Sequence, residues 1–96
     1  MEFEYDPAKS QANREKHGID FDAAQEMWRY GDLIWGPSKH PVEDRFMAIG
    51  RIKRQIWAAV YTMRQNRIRL ISVRPAKRKE RAIYVRASGQ STPDDV

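Results

Sequence analysis

The segment Arg67-Ile68-Arg69-Leu70-Ile71-Ser72-Val73-Arg74 interleaves three arginines and a serine with aliphatic residues. Such a run reads as a strand. Period-two alternation puts Arg67 and Arg69 on one face with Ile71 and Val73, and Ser72 and Arg74 on the other with Ile68 and Leu70. A strand wanted only for packing would not give half its positions to polar groups. Arginine suits phosphate because its planar fork donates paired hydrogen bonds and stays charged. Beyond Arg74, the residues Lys77, Arg78, Lys79 and Arg81 fall on the first turns of an expected helix, whose N-terminus itself attracts anions. Arg67 and Lys79 read equally well as charges that solubilise a sheet edge.

Other groups have the types needed for proton transfer or stacking. Glu80 is the only acid between Arg45 and Arg86. A salt bridge orienting Arg74 or Arg78 is its first reading, ahead of general acid–base work, because neighbouring cations push a carboxyl pKa away from neutrality. His17 stands beside Lys16 near the expected end of a helix. It has two readings, a favourable partner of the helix dipole and a proton donor or acceptor near neutral pH. His40 lies between two prolines and reads as a surface residue. Tyr61 and Trp57 share a strand face, where they either stack bases or fill the core. RNA cleavage without metal needs an aligned 2′-hydroxyl, cations to offset the phosphorane charge and a protonated leaving oxygen. The residue types for this are present.

Charge is divided sharply along the chain. From Met1 to Asp44 five Lys/Arg face ten Asp/Glu, whereas from Arg45 to Arg86 thirteen Lys/Arg face Glu80 alone. The second half is therefore expected to build a surface for a polyanion. There is no Cys, which removes disulfides, thiolate zinc sites and a cysteine nucleophile, and the two His are not at ligand spacing. No metal or other cofactor is expected. No apolar run approaches the roughly 20 residues that span a bilayer, so no membrane partner and a cytoplasmic location are expected.

The elements that must position these groups can be read from caps and periodicity. Phe3-Glu4-Tyr5 alternates as a short strand. Asp6 followed by Pro7 is a helix start, and Gly18 a stop, giving a helix over Pro7 to His17. Asp20 caps a second helix, from Phe21 to about Gly31, with an apolar stripe of Phe21, Ala24, Met27 and Trp28. Leu33-Ile34-Trp35 reads as an edge strand, and Gly36 to Asp44, with Pro37 and Pro41, as a loop. Arg45 to Ile52, Ile56 to Met63 and Arg67 to Arg74 form three strands on short connectors, hence an antiparallel meander. Ala76, Glu80, Ile83, Tyr84 and Ala87 recur at helical spacing and predict a terminal helix. The fold class is α+β, a single domain over residues 1–87, with 88–96 as a disordered polar tail.

The string Asp6-Pro7-x-Lys9, Asn13-x-x-Lys16-His17-Gly18-Ile19-x-Phe21, Arg45-(x4)-Gly50, Tyr61-Thr62 and Arg67-Ile68-(x2)-Ile71-Ser72-x-Arg74-x-Ala76, followed by Glu80 and Tyr84, resembles the BrnT toxin family. The resemblance implies a RelE-like fold and a ribonuclease that halts translation. It also implies a neutralising BrnA-like antitoxin, through which alone the chain would reach DNA. Carried over, it implies catalytic positions at Lys16, His17, Arg45, Arg74 and Glu80. Arg67, Arg69, Lys77, Arg78, Arg81 and Tyr61 are then the expected RNA-binding positions. The alternative is a non-catalytic basic module that docks an acidic protein or DNA. Geometry separates the two: catalysis of this kind needs His17 or Lys16 beside the Arg45 and Arg74 cluster.

Overall fold

The computed structural model describes residues 1–89. In chain order it contains β1 (Phe3–Glu4), α1 (Pro7–His17), α2 (Phe21–Ala24) running into a 3₁₀ turn (Gln25–Trp28), β2 (Ile34–Ser38), β3 (Arg45–Ile52), β4 (Gln55–Arg64), β5 (Arg67–Pro75) and α3 (Arg78–Ser88). The expected α+β class holds, with one five-stranded sheet in the order β1-β5-β4-β3-β2. Strands β2 to β5 form the antiparallel meander, and β1 adds to it in parallel, with Phe3 opposite Ile68 and Glu4 opposite Arg69.

Local chemistry sets most boundaries. The Asp6 carboxylate accepts a hydrogen bond from the Ala8 amide at 2.9 Å, and Gly18 closes α1 in the left-handed region at φ 84°. Asp20 caps α2 through the Ala23 amide at 2.8 Å. The second helix is shorter than its apolar stripe suggested, because it tightens to 3₁₀ geometry from Gln25. Phe21, Ala24 and Met27, all fully buried, recur every three residues, the repeat of a 3₁₀ helix rather than an α-helix. β2 extends through Gly36, Pro37 and Ser38, where a loop was expected. It is the edge strand of the sheet, and a proline without an N–H is tolerated there. The β4–β5 hairpin turns on Gln65 and Asn66, both at positive φ, the signature of a type I′ turn.

Helices cover both sheet faces. Phe21, Ala24 and Met27 pack with Ala48, Ala59, Tyr61, Leu70 and Val73 on one face. On the other, Tyr84 of α3 packs with Ile49, Ile56 and Ala76. α3 begins at Arg78 instead of Ala76, since Ala76 still belongs to the extended chain and donates to the Ile56 carbonyl at 3.0 Å. Of the expected stripe, Ile83 and Ala87 are exposed. The helix runs through Ser88 and closes on Gly89 at φ 73°, one residue past the boundary expected at Ala87. The rest of the expected tail, 90–96, lies outside the described residues.

Candidate nucleic-acid interface

A β-bulge decides where the arginines point. Val60 pairs with Ser72 but Tyr61 pairs with Leu70, so Ile71 is an extra residue on β5. One inserted residue reverses the alternation beyond it. Ile68 and Leu70 therefore join Val73 in the core under α2. Arg67, Arg69, Ser72 and Arg74 share the opposite face, correcting the split that strict alternation gave. The register then lines up Arg45 of β3, Thr62 of β4, Arg69 of β5 and Glu4 of β1 as one row across four strands. α3 packs on this same side, over β3 and β2. The row lies four residues along β3 from Ile49, or about 13 Å at strand spacing.

Arg45, Arg67, Arg69 and Arg74 on this face are each paired with an acid, three of the four acids from outside the basic segment. Glu2 and Glu4 on and before β1 meet Arg67 (3.4 Å) and Arg69 (2.9 Å), and Glu43 meets Arg45 (2.8 Å). The asymmetry along the sequence is thus partly neutralised in space. What differs is how much of each guanidinium the pairing uses. Glu43 takes only Nε of Arg45, and Glu4 only Nη1 of Arg69, so both keep terminal N–H groups with no protein partner among the described residues. Arg74 spends both Nη1 and Nη2 on Glu80, at 2.7 and 2.8 Å. Arg45 and Arg69 are equipped to take a phosphate, whereas Arg74 is equipped to hold α3.

Glu80 also accepts from the Lys77 amide at 2.7 Å, capping α3 from its third position. The Arg74 hydrogen bond, helped by the Lys77 amide, holds its carboxyl below the ordinary 4.5, burial opposing. A depressed folded-state pKa stabilises the fold above the unfolded pKa, and that stability is lost as pH falls through the folded value. The melting-temperature gap between the wild type and Glu80→Gln should therefore be widest near neutral pH and close below 4.5. Thermal melts at a series of pH values check this, and a gap independent of pH would show that the charge contributes nothing. Around this cap, Lys77, Arg78 and Lys79 are exposed, and Arg81 reaches the Ala76 carbonyl at 3.3 Å.

The remaining sequence candidates are not drawn to this face. α1 lies along β5, where Asn13 accepts from the Val73 amide at 3.0 Å and donates to the Ile19 carbonyl at 2.8 Å. The chain then enters the core through Ile19 and Phe21, on the side away from Arg45, Arg69 and Arg74. Lys16 and His17 sit at that end of α1, and no hydrogen bond or ion pair joins them to Arg45, Arg74 or Glu80 among the described residues. Tyr61 is buried on the α2 side, edge-on to Trp28 and stacked on Phe46, and burial pushes its hydroxyl pKa up. There it lines an apolar cavity of about 480 Å³ with Trp28, Leu33, Trp35 and Met63. The histidine that does approach the arginines is His40, which lines a second cavity together with Arg45. Sequence alone puts His40 at the surface and gives Thr62, Glu4 and Glu43 no role in a site. Only the Glu43-x-Arg45 spacing offered a local signal for any of them.

A family model described as the ribonuclease toxin BrnT of type II toxin–antitoxin systems matches residues 5–80. The chain belongs to the BrnT family. The match spans the whole arginine face of this BrnT member except Glu2 and Glu4, and ends on Glu80. It gives the chain the general role of a ribonuclease toxin, with an α+β topology of the RelE-like kind. No curated protein matches the chain. Among the described residues no helix is long and apolar enough to cross a membrane, and no three His, Cys, Asp or Glu side chains cluster as metal ligands.

Proposed function

We propose that this chain is a metal-independent endoribonuclease acting at the row of Arg45, Thr62 and Arg69. The observation that carries the reading is the bulge at Ile71, which puts Arg69 and Arg74 on one sheet face with Arg45. RNA supplies its own nucleophile. The 2′-oxygen attacks phosphorus, the bond to the 5′-oxygen breaks, and the proton lost from one oxygen is balanced by the proton gained at the other. A 2′,3′-cyclic phosphate and a 5′-hydroxyl end result. Arg45 and Arg69 hold the phosphate and offset the charge that grows in the transition state. The Arg74–Glu80 pair fixes the start of α3, so that Lys77, Arg78 and Arg81 follow the flanking backbone. Thr62, buried and donating to the Asp44 carbonyl at 2.6 Å, keeps the β3 entry in place beside Arg45. Lys16 and His17, on the α1 side, are left out of this scheme, and water carries the protons.

The same reading gives a BrnA-like antitoxin that covers the arginine face, DNA contact only through that partner, and action in the cytoplasm, where the RNA is. Purified protein freed of antitoxin should cleave RNA in EDTA, leaving cyclic-phosphate or 3′-phosphate ends. Intact RNA with folded protein would sink the proposal. That outcome would favour a non-catalytic basic module for an acidic protein or DNA, a reading supported by the placement of His17 away from the arginines.

A further inference from the structure

The β2–β3 connection, residues 39–44, carries a histidine in an unusually defined setting for a surface loop. His40 Nδ1 accepts from two backbone amides, those of Val42 and Glu43, both at 3.3 Å. An imidazole nitrogen that accepts has no hydrogen, so in the neutral ring Nε2 carries it and is the donor. The two amides therefore select one tautomer. The ring they hold belongs to the lining of a cavity of about 580 Å³, together with Ser38, Lys39, Glu43, Asp44 and Arg45. The chain turns back at Glu43, whose carboxylate takes Nε of Arg45 at 2.8 Å and leaves the terminal nitrogens of that arginine unspent. One short loop thus fixes both a histidine donor and an arginine fork in a single concavity.

We infer that His40 is a substrate-contacting residue of the RNA site. As a neutral ring it donates from Nε2 to a non-bridging oxygen of the phosphate held by Arg45. This rests on the ribonuclease reading above, and it assigns the site a further donor, beside Arg45 and Arg69, that neither the sequence motifs nor the arginine row contains. A neutral donor differs from a proton shuttle. With Nδ1 occupied as the acceptor of the Val42 and Glu43 amides, the ring presents Nε2–H as a fixed dipole toward developing negative charge. The charged and titratable groups around it are Lys39, Glu43, Asp44 and Arg45 of the same loop and strand, with Arg64 of β4 acting on Glu43. The Arg45 hydrogen bond foremost lowers the Glu43 carboxyl pKa, which keeps that carboxylate charged and on Nε of the arginine.

The test compares wild type, His40→Ala and His40→Gln in two assays. The first is cleavage of a short RNA in EDTA across pH, and the second is binding of a 2′-O-methyl RNA of the same sequence, which has no free 2′-hydroxyl. His40→Ala should lower kcat/KM about tenfold, the scale of one lost hydrogen bond to a charged group, and weaken binding of the uncleavable RNA. His40→Gln, whose side-chain amide can donate from a similar position, should recover part of both, and the pH–rate profile should keep its shape in all three proteins. Equal cleavage and equal binding by His40→Ala and wild type would overturn the inference while leaving the ribonuclease reading intact. Loss in His40→Ala of a pH limb in the imidazole range would overturn the neutral-donor role in favour of proton transfer. A wild type that cleaves nothing would defeat the ribonuclease reading, and the binding arm alone would then decide whether His40 touches RNA phosphate.

Discussion

Arg45→Ala should lower kcat/KM for RNA cleavage by about a hundredfold, or about 2.7 kcal/mol of transition-state stabilisation, while the melting temperature changes little. The two halves of this expectation have separate causes. The pair with Glu43 is partly exposed on both sides, at 28% and 35% of side-chain surface, and exposed pairs of this kind contribute little to folding because solvent screens them. The activity of Arg45, by contrast, resides in the terminal nitrogens that Glu43 does not use. These can form a fork on a phosphate, and a charge-assisted contact that strengthens as the phosphorane forms acts on the rate rather than on the fold. Arg45→Lys should recover only part of the loss, since an ammonium is a point charge that cannot serve Glu43 and a phosphate in the same planar arrangement. Steady-state cleavage in EDTA at several salt concentrations measures the effect. The salt slope for binding should fall by about 0.7 with one phosphate contact removed from a single strand. Activity within threefold of the wild type would remove Arg45 from the site. Arg74→Ala is the useful contrast, because its fork is filled by Glu80 and its loss should weaken the start of α3 before it weakens RNA contact.

Part of this picture was legible in the residues, and the division follows the range of the forces involved. Asp6 before Pro7, Gly18, and Asp20 before Phe21 fix their helix ends by contacts within one to four residues, so the boundaries could be read locally. The three meander strands were legible for the same reason. The bulge was not, because nothing in Leu70-Ile71-Ser72 marks it. No glycine or proline stands there, and the extra residue is a matter of which β4 partner each residue finds. That single offset reverses the face of Arg69 relative to Val73 and creates the candidate site. The acidic first half was read as a separate charge block, yet Glu2 and Glu4 lie beside Arg67 and Arg69 across 65 residues of chain, through a parallel pairing with no local signature. His17 and His40 were weighed by neighbours in sequence. Their roles depend instead on which side of the sheet each segment reaches, and the helix end goes to the core side while the proline-flanked loop goes to Arg45.

Asn13→Ala should be among the most destabilising polar substitutions in the chain, costing about 3 kcal/mol and lowering the melting temperature by roughly 12–24 °C for a domain of this size. Asn13 is 7% exposed although it lies on a helix of otherwise polar character. Its side-chain amide donates to the Ile19 carbonyl at 2.8 Å, and its oxygen accepts from the Val73 amide at 3.0 Å. One side chain therefore ties α1 to the turn that leads into α2 and to the outer edge of β5, past the point where β1 has ended. Alanine would leave an N–H and a C=O buried without partners, each costing about 1–3 kcal/mol, and would leave a small void besides. Asn13→Asp keeps an acceptor for Val73 but sets a carboxylate against the Ile19 carbonyl, so it should not restore stability. This gives the Asn13-x-x-Lys16-His17-Gly18 run a structural origin: its asparagine is a clamp and its glycine a cap. The clamp stands on the α1 side, away from Arg45 and Arg69, so the folded fraction of Asn13→Ala at low temperature should cleave RNA at the wild-type rate per folded molecule. Arg45→Ala should do the opposite, melting normally and cleaving poorly. Denaturant titration paired with cleavage rates on the same preparations reads both. If the folded fraction of Asn13→Ala proved as inactive as Arg45→Ala, the active surface would have to include the α1 end, and Lys16 and His17 would return as its proton-transfer groups.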